Sequence, residues 1–264
     1  MDKSISLSVI ILTYNEEKNI SACLESVKWA NELIVVDRYS DDNTVKIAQQ
    51  YTNKVFKQEW LGFAKQRNMA LSKTNGKWVF FLDADERVTP ELKESILNAI
   101  KKQDNHVTAY YVKNKNFFMG RLLKCYQESH LRLFKNGSVH FVGEVHETPL
   151  FDGSTRTLNG YLKHYSYSNL ESYTHKLAKY AALSANARWK KGKRASALDL
   201  IFHPLFDFTK FFILKGGFRD GIPGFIFCLT HAHYTLLKYA MLYEKDSTAK
   251  SKTPYSLNAD NLPV

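Results

Sequence analysis

Cysteine is scarce in this sequence, and what there is cannot staple a fold. Cys23, Cys125 and Cys228 are odd in number and far apart. They show neither metal-ligand nor redox-pair spacing, which excludes a disulfide framework and fits a reducing compartment. No glycine-rich phosphate turn follows the first apolar run. The chain passes instead into Thr13-Tyr14-Asn15-Glu16-Glu17, which argues against a nicotinamide-dependent oxidoreductase. Internal repeats and low-complexity tracts are missing as well. The opening stretch MDKSISLSVIILTYN is only briefly apolar and lacks a small-residue cleavage site, so it reads as a first strand and not a signal peptide. A cytoplasmic catalytic part is therefore expected. His146-Glu147 has no second histidine and meets Pro149, so it is not a zinc-protease helix.

The 264 residues are 44% hydrophobic and 14% aromatic, enough to bury a full core. Net charge is +11, and it is unevenly placed. Residues 1–150 hold 21 Lys and Arg against 18 Asp and Glu, while residues 151–264 hold 16 against 8. A basic C-terminal part of this kind suits nucleic acid, anionic lipid or a plain solvated surface, and charge alone does not choose. No nucleic-acid motif accompanies it, and the basic run is flanked by long apolar segments, so no nucleic-acid partner is expected.

Three short apolar runs, 7–12, 33–36 and 78–82, each end in polar or acidic residues, as strands buried on both faces of a parallel sheet do. Helical patterns lie between them at 17–29, 41–51 and 62–72, and a fourth opens at Pro90 and runs to about Lys102. The alternation predicts an α/β sandwich with a mostly parallel sheet, whose ligands bind beyond the carboxyl ends of the strands. From Val107 to about Tyr165 the pattern turns to aromatic and β-branched segments broken by Asn136-Gly137 and Asp152-Gly153, a mixed or antiparallel extension. After residue 168 it becomes helical, with Leu170, Tyr173, Leu177, Tyr180 and Ala181 on one stripe, and three C-terminal helices follow. The expected organisation is a catalytic domain over 1–167, a helical, basic and aromatic region over 168–246, and a loose tail over 247–264.

The strand ends carry the chemistry. Asp83-Ala84-Asp85 offers two hard carboxylates, one residue apart, to Mg²⁺ or Mn²⁺ bridging a diphosphate. As an isolated tripeptide it would match any solvated acidic turn; its place after WVFFL selects it. Asp37 ends the second run, where it can accept a hydrogen bond from a nucleobase imide or a ribose hydroxyl. Its alternative is to cap the helix at 42–51, for which Asp41 is better placed. Lys65, Arg67 and Asn68 in GFAKQRNMAL can hold phosphate oxygens or form an ordinary solvated face.

Together SVIILTYNEEKNI, ELIVVDRYSDDNT, GFAKQRNMAL and WVFFLDADERV resemble the family-2 glycosyltransferases of the GT-A fold over roughly residues 7–150. The resemblance implies nucleotide binding by Thr13, Asn15, Glu17 and Asp37, donor contacts from the Arg-Asn segment, and a divalent metal on Asp83 and Asp85. One departure is that Arg38 and Tyr39 replace the small residues often found after the first aspartate. The whole-chain pattern, through HLRLFKNGSVHFVGEVHETP and KHYSYSN, looks similar to the subgroup that builds the lipopolysaccharide inner core, the β-1,4-glucosyltransferases acting on core heptose. It implies a UDP-sugar donor, best matched by UDP-glucose, and a lipopolysaccharide-core or other lipid-linked acceptor. A polyprenyl-phosphate or other cell-envelope glycosyltransferase is the alternative, and a basic lipid- or nucleic-acid-binding protein without catalysis is the alternative of a different class.

An inverting transfer needs a base for the acceptor hydroxyl. Glu147 is the first choice and Glu144 the second, with His146 a third metal ligand or a positioning group; the bland reading is that both acids merely solvate a strand end. Arg188-Trp189-Lys190-Lys191-Gly192-Lys193-Arg194 precedes LDLIFHPLFDFTKFFIL, a combination that suits an anionic membrane surface. The segment 222–242 nears spanning length but contains His231, His233 and Lys238, which favours burial in the membrane plane over a crossing. A soluble helical cap is the alternative. Arg132, Trp189, Lys190, Lys191, Arg194, Arg219 and Asp220 are candidates for acceptor or membrane contact, although Arg219-Asp220 also reads as a salt-bridged turn. The protein is expected to be peripheral on the inner face of the cytoplasmic membrane.

Overall fold

The structure is a computed structural model that describes residues 6–102, 104, 106–143, 147–165 and 169–250. Two compact units divide it. Among the described residues, the first runs to Phe117 and resumes from Gln127 to Tyr165; the second takes Phe118–Tyr126 and the chain from Asn169 onward.

The first unit begins as the apolar runs predict. Strands β1 (Leu7–Thr13), β2 (Glu32–Asp37) and β4 (Trp78–Asp83) alternate with helices α1 (Ile20–Val27), α2 (Thr44–Ala48) and α3 (Phe63–Leu71), with a three-residue strand β3 (Val55–Lys57) between α2 and α3. Successive side chains of a strand point to opposite faces, and both faces here are covered. Val9 and Ile11 pack with Leu24 of α1, while Ile10 packs with Val36, Phe81 and, from α3, Ala64 and Ala70. β1 lies parallel to both β2 and β4, with Thr13 opposite Asp37 and Leu12 opposite Asp83. That register sets the candidate residues on one edge.

After β4 the chain makes a second short strand, β5 (Glu86–Val88), and then α4 (Pro90–Lys101), where Thr89 caps the helix by accepting from the Leu92 amide and Pro90 opens the first turn. The extension consists of β6 (Val107–Phe118), β7 (Arg121–Lys135), β8 (Val139–Val142), β9 (Thr148–Phe151) and β10 (Ser154–His164). The sheet order is β3-β2-β1-β4-β7-β6-β10-β5, and β8 and β9 form a separate antiparallel pair. β7 runs antiparallel to β4, and β10 runs parallel to β6 and antiparallel to β5, where His164 faces Glu86. The Asn136-Gly137 and Asp152-Gly153 turns fall between β7 and β8 and between β9 and β10, as their composition predicts. β3 and β5 have too few residues to show a period.

The second unit holds α5 (Leu170–Lys190), α6 (Ala197–Thr209), a π-helical turn over Lys210–Leu214, a 3-10 turn over Gly217–Asp220, and α7 (Gly221–Lys250). Asn169 with Ser172, and Ser196 with Asp199, form reciprocal caps at the starts of α5 and α6. Tyr173 stacks on Phe227 and meets Phe118 edge-on at the centre of this unit's core. The α5 stripe is narrower than its spacing predicts: Tyr173, Ala181 and Ala185 are buried, whereas Leu170 and Tyr180 are exposed. α7 continues to Lys250, beyond the expected start of the tail, and residues 251–264 lie outside the described residues. No described helix is long and apolar enough to cross a membrane.

Candidate active site

The loops after β1 and β2 are tied to each other before any ligand is considered. Asn15 donates its amide to Ser40 Oγ at 2.8 Å and accepts from the Asp41 amide at 3.1 Å. Glu17 Oε2 accepts from both the amide and the side chain of Asn43 at 3.1 Å, and the Glu17 amide donates to Asp42 at 3.0 Å. Asn15 and Tyr39 reach these positions with φ of 53° and 58°. Asp37 is fully buried, with one oxygen on the Ser40 amide and the other on its hydroxyl. Asn15, Glu17 and Asp37 thus build the rim, while the Thr13 hydroxyl is buried without a hydrogen-bond partner. Neither Asp37 nor Asp41 caps α2: its N-cap residue is Asn43, which makes no side-chain cap bond, and Asp42 accepts from the Thr44 amide at 2.9 Å in a turn just before the helix. Over the rim, Arg38 lies 5.2 Å from the ring centres of both Tyr14 and Trp60.

Asp83 and Asp85 sit in a chain of charged and polar contacts. Arg132 Nη2 donates to Asp83 Oδ2 at 2.9 Å and to Glu86 Oε1 at 2.7 Å. Glu86 is fully buried and also accepts from the Asp83 amide and from Asn114 Nδ2. His164 Nε2 lies 3.1 Å from Asp85 Oδ2, and its Nδ1 lies 3.3 Å from Asn114 Nδ2. An amide nitrogen only donates, so neutral His164 accepts at Nδ1 and presents Nε2–H to Asp85. Burial works against ionisation of Asp83, but the charge of Arg132, then that of Arg67, outweighs it and holds the carboxyl well below the usual carboxylate range. Burial pushes Glu86 up to about 7, against the pull of Arg132 and with the added push of Asp83. Burial lowers His164, yet its hydrogen bond to Asp85 and the surrounding carboxylates leave it above the ordinary histidine value. Arg132 itself is only 6% exposed, clamped between the Asp83 and Glu86 carboxylates.

A second arm comes from α3. Arg67 Nε donates to Glu147 Oε1 at 3.0 Å, and its guanidinium lies over the rings of Phe81 and Phe141. Asn68 pairs with the backbone of Phe141 in both directions, at 2.8 Å and 2.9 Å, so its amide fastens β8 to α3. Lys65 is exposed on the same helix. Glu144 and His146 lie outside the described residues.

Residues 8–149, more than half the chain, match the model of glycosyl transferase family 2. The chain belongs to that family. An uncharacterized glycosyltransferase of Rickettsia typhi is 31% identical over 259 residues, covering 90% of this chain and 87% of that protein. The lipopolysaccharide core biosynthesis glycosyltransferase LpsC of Rhizobium meliloti is 28% identical over 256 residues, covering 93% and 94%. Among solved structures, S. aureus TarS 1-349 in complex with UDP-GlcNAc is 18% identical, covering 93% and 92%, with a TM-score of 0.47. That last likeness is too slight to add to the assignment.

The chain is therefore a glycosyltransferase with the GT-A α/β fold, and its mostly parallel strands β3 to β4 carry the edge described above. Among the described residues, no three His, Cys, Asp or Glu side chains gather as metal ligands. A hard cation that arrives on a diphosphate asks less, because one or two carboxylates complete its shell together with phosphate oxygens. Asp83 and Asp85 each commit one oxygen to Arg132 or His164 and keep the other, which fits that need.

Glu86, Asn114 and His164 were not anticipated. Glu86 follows Asp85 directly and His164 is the second residue of KHYSYSN, so membership of or proximity to the quoted segments is the available signal; Asn114 offers none. In the second unit, Asp220 is fully buried and accepts from the amides of Lys124 and Cys125 at 2.8 Å and 3.1 Å, while the Arg219 carbonyl accepts from Arg121. That pair anchors the start of β7. Trp189 is partly buried against the Ala185, Tyr239 and Leu242 cluster, with Arg194 stacked on its ring, while Lys190 and Lys191 are exposed.

Proposed function

We propose that the chain is an inverting, metal-dependent glycosyltransferase that moves glucose from UDP-glucose to a lipopolysaccharide-core or other lipid-linked acceptor, working peripherally at the inner face of the cytoplasmic membrane. One observation carries the transfer chemistry: two carboxylates stand at the end of a buried parallel strand, each fixed through one oxygen by a basic side chain, with Arg67 and Glu147 paired in the same unit. The similarity to LpsC across nearly the whole length of both chains supports the acceptor class.

Asp83 and Asp85 would hold a Mg²⁺ or Mn²⁺ ion, which when bound neutralises charge on the leaving diphosphate. Arg132 and His164 keep the two carboxylates in place, as partners behind a ligand shell do. Thr13 and the rim built by Asn15, Glu17 and Asp37 receive the nucleoside, and Lys65 and Arg67 supply positive charge toward its phosphates. Glu147 takes the proton from the acceptor hydroxyl as that oxygen attacks the anomeric carbon opposite the diphosphate. Its salt bridge with Arg67 fixes one carboxylate oxygen and leaves the other to accept that proton.

Titration calorimetry with UDP and UDP-glucose, with and without Mn²⁺, tests the donor site. Metal-dependent binding that disappears in Asp85→Ala is expected. Unchanged affinity in that variant would overturn the metal assignment, and binding of neither ligand would move the donor to another nucleotide sugar.

A further inference from the structure

α6 carries a second apolar stripe on the side away from its own core. Leu198, Ile201, Phe202, Leu205 and Phe206 recur at the spacing of one helical face, and each is between 59% and 64% exposed. No residue of α6 is buried. The face turned to α7 mixes apolar and polar groups: Leu200 packs on the Tyr239 and Leu242 cluster and Phe208 meets Phe225 edge-on. His203 stacks on Tyr239 with ring centres 4.2 Å apart, and Asp207 accepts from the Thr235 hydroxyl. Beyond α6 the stripe continues through Ile213 and Leu214 in the π-helical turn, then Phe218 and Ile222. Phe212 links them by touching both Phe218 and Phe225. An exposed apolar surface of this length marks an interaction site.

Charge narrows the partner. Between Arg188 and Arg219 the chain has eight Lys and Arg against two Asp. Neither acid opposes the stripe: Asp199 caps its own helix through Ser196 and meets His203, and Asp207 is turned to α7. Cations flank both ends, with Lys190, Lys191 and Lys193 before α6 and Lys210, Lys215 and Arg219 after it. A second copy docking by the same face would bring these cations together across a two-fold interface, whereas an anionic bilayer complements them. Thirteen residues of helix extend about 20 Å, short of a crossing.

We propose that α6 and the π-helical turn after it lie in the headgroup layer of an anionic bilayer, with Leu198, Ile201, Phe202, Leu205 and Phe206 inserted and the flanking lysines on lipid phosphates. The anchor is this phenyl and aliphatic stripe; Trp189, the interfacial aromatic expected from the sequence, is committed to the core of its own unit and to Arg194. The assignment deepens the membrane-face reading above and rests on it for the nature of the surface alone.

Sedimentation of the full chain with vesicles of phosphatidylcholine, with and without phosphatidylglycerol, tests it. Wild type is expected to sediment with the phosphatidylglycerol vesicles and much less with phosphatidylcholine alone. Phe202→Asp with Phe206→Asp should weaken binding about tenfold or more, and Lys190→Gln, Lys191→Gln and Lys193→Gln together should weaken it and flatten its salt dependence. Because the substituted side chains are exposed, circular dichroism and nucleotide binding should remain those of wild type. Normal vesicle binding by the Phe202/Phe206 variant would overturn the α6 assignment and leave the membrane reading standing. Failure of wild type to bind either vesicle would overturn both, while nucleotide binding would still report on the transferase reading. A wild-type dimer that the Phe202/Phe206 variant splits would assign the face to a second copy and overturn the lipid proposal.

Discussion

The guanidinium of Arg132 lies 2.9 Å from Asp83 Oδ2, so the first aspartate of the pair already has a cationic partner inside the protein. The same nitrogen reaches Glu86, whose side chain has no solvent exposure. Removing one partner of a buried ion pair leaves the other charge unmatched, at a cost of about 3–5 kcal/mol. Arg132→Met should therefore lose about that much stability in urea denaturation, and adding Glu86→Gln to it should recover part of the loss. Equal stability of Arg132→Met and wild type would mean that the cluster does not hold Asp83.

Glu147→Gln should separate binding from chemistry. The substitution keeps the shape and a hydrogen-bonding group beside Arg67 but removes the proton acceptor, and general-base catalysis is typically worth about 10²–10⁴-fold in rate. Donor affinity should stay near wild type while turnover falls by that factor. Turnover close to wild type would move the base elsewhere, with Glu144 next.

Much of this site was legible because a continuous apolar run announces a buried strand, and the residue that ends such a run lies on the ligand edge. Thr13, Asp37, Asp83 and Asp85 were found that way, and the β1 register places the first three on one edge. The partners were not legible for a different reason. Arg132 comes from a strand 49 residues beyond Asp83, and in HLRLF a single arginine among leucines reads as facing outward. Only a sheet covered on both faces turns it inward to two acids. Asn68 has a role that its neighbours Lys65 and Arg67 do not announce: an amide can match a strand backbone in both directions, and β8 lies alongside to use it. For α6 the 3.6-residue period reports which residues share a face and not what that face meets; the basic run before LDLIFHPLFDFTKFFIL is the signal that points to a membrane surface.

Asn68→Ala should loosen β8. It deprives both the amide and the carbonyl of nearly buried Phe141 of their partners, which costs about 1–3 kcal/mol. Asn68→Asp should be no better, because it retains an acceptor for the Phe141 amide but sets a carboxylate against the Phe141 carbonyl. Denaturant titration gives the cost, and hydrogen exchange at the Phe141 amide gives its location. Slow exchange there in Asn68→Ala would show that β8 is held by its packing alone.

Acid should find a different weak point, at the far end of the parallel strands from the candidate site. Glu32 accepts from Ser8, Lys54 and both the amide and side chain of Asn75, the last two at 2.9 Å, and these bonds join the starts of β1 and β2 to the turn before β4. Burial pushes its carboxyl up, but the Asn75 amide, Lys54, Ser8 and the Asn75 side chain together pull it down to about 2. A depressed carboxylate contributes stability above its unfolded pKa and loses it as pH falls through the folded one. The contribution, about 2–3 kcal/mol by that linkage, should be complete above roughly pH 4.5 and fade toward pH 2. Glu32→Gln should therefore be less stable than wild type at pH 7, with the gap closing as the pH is lowered through this window. A gap independent of pH would assign the loss to packing and not to the charge.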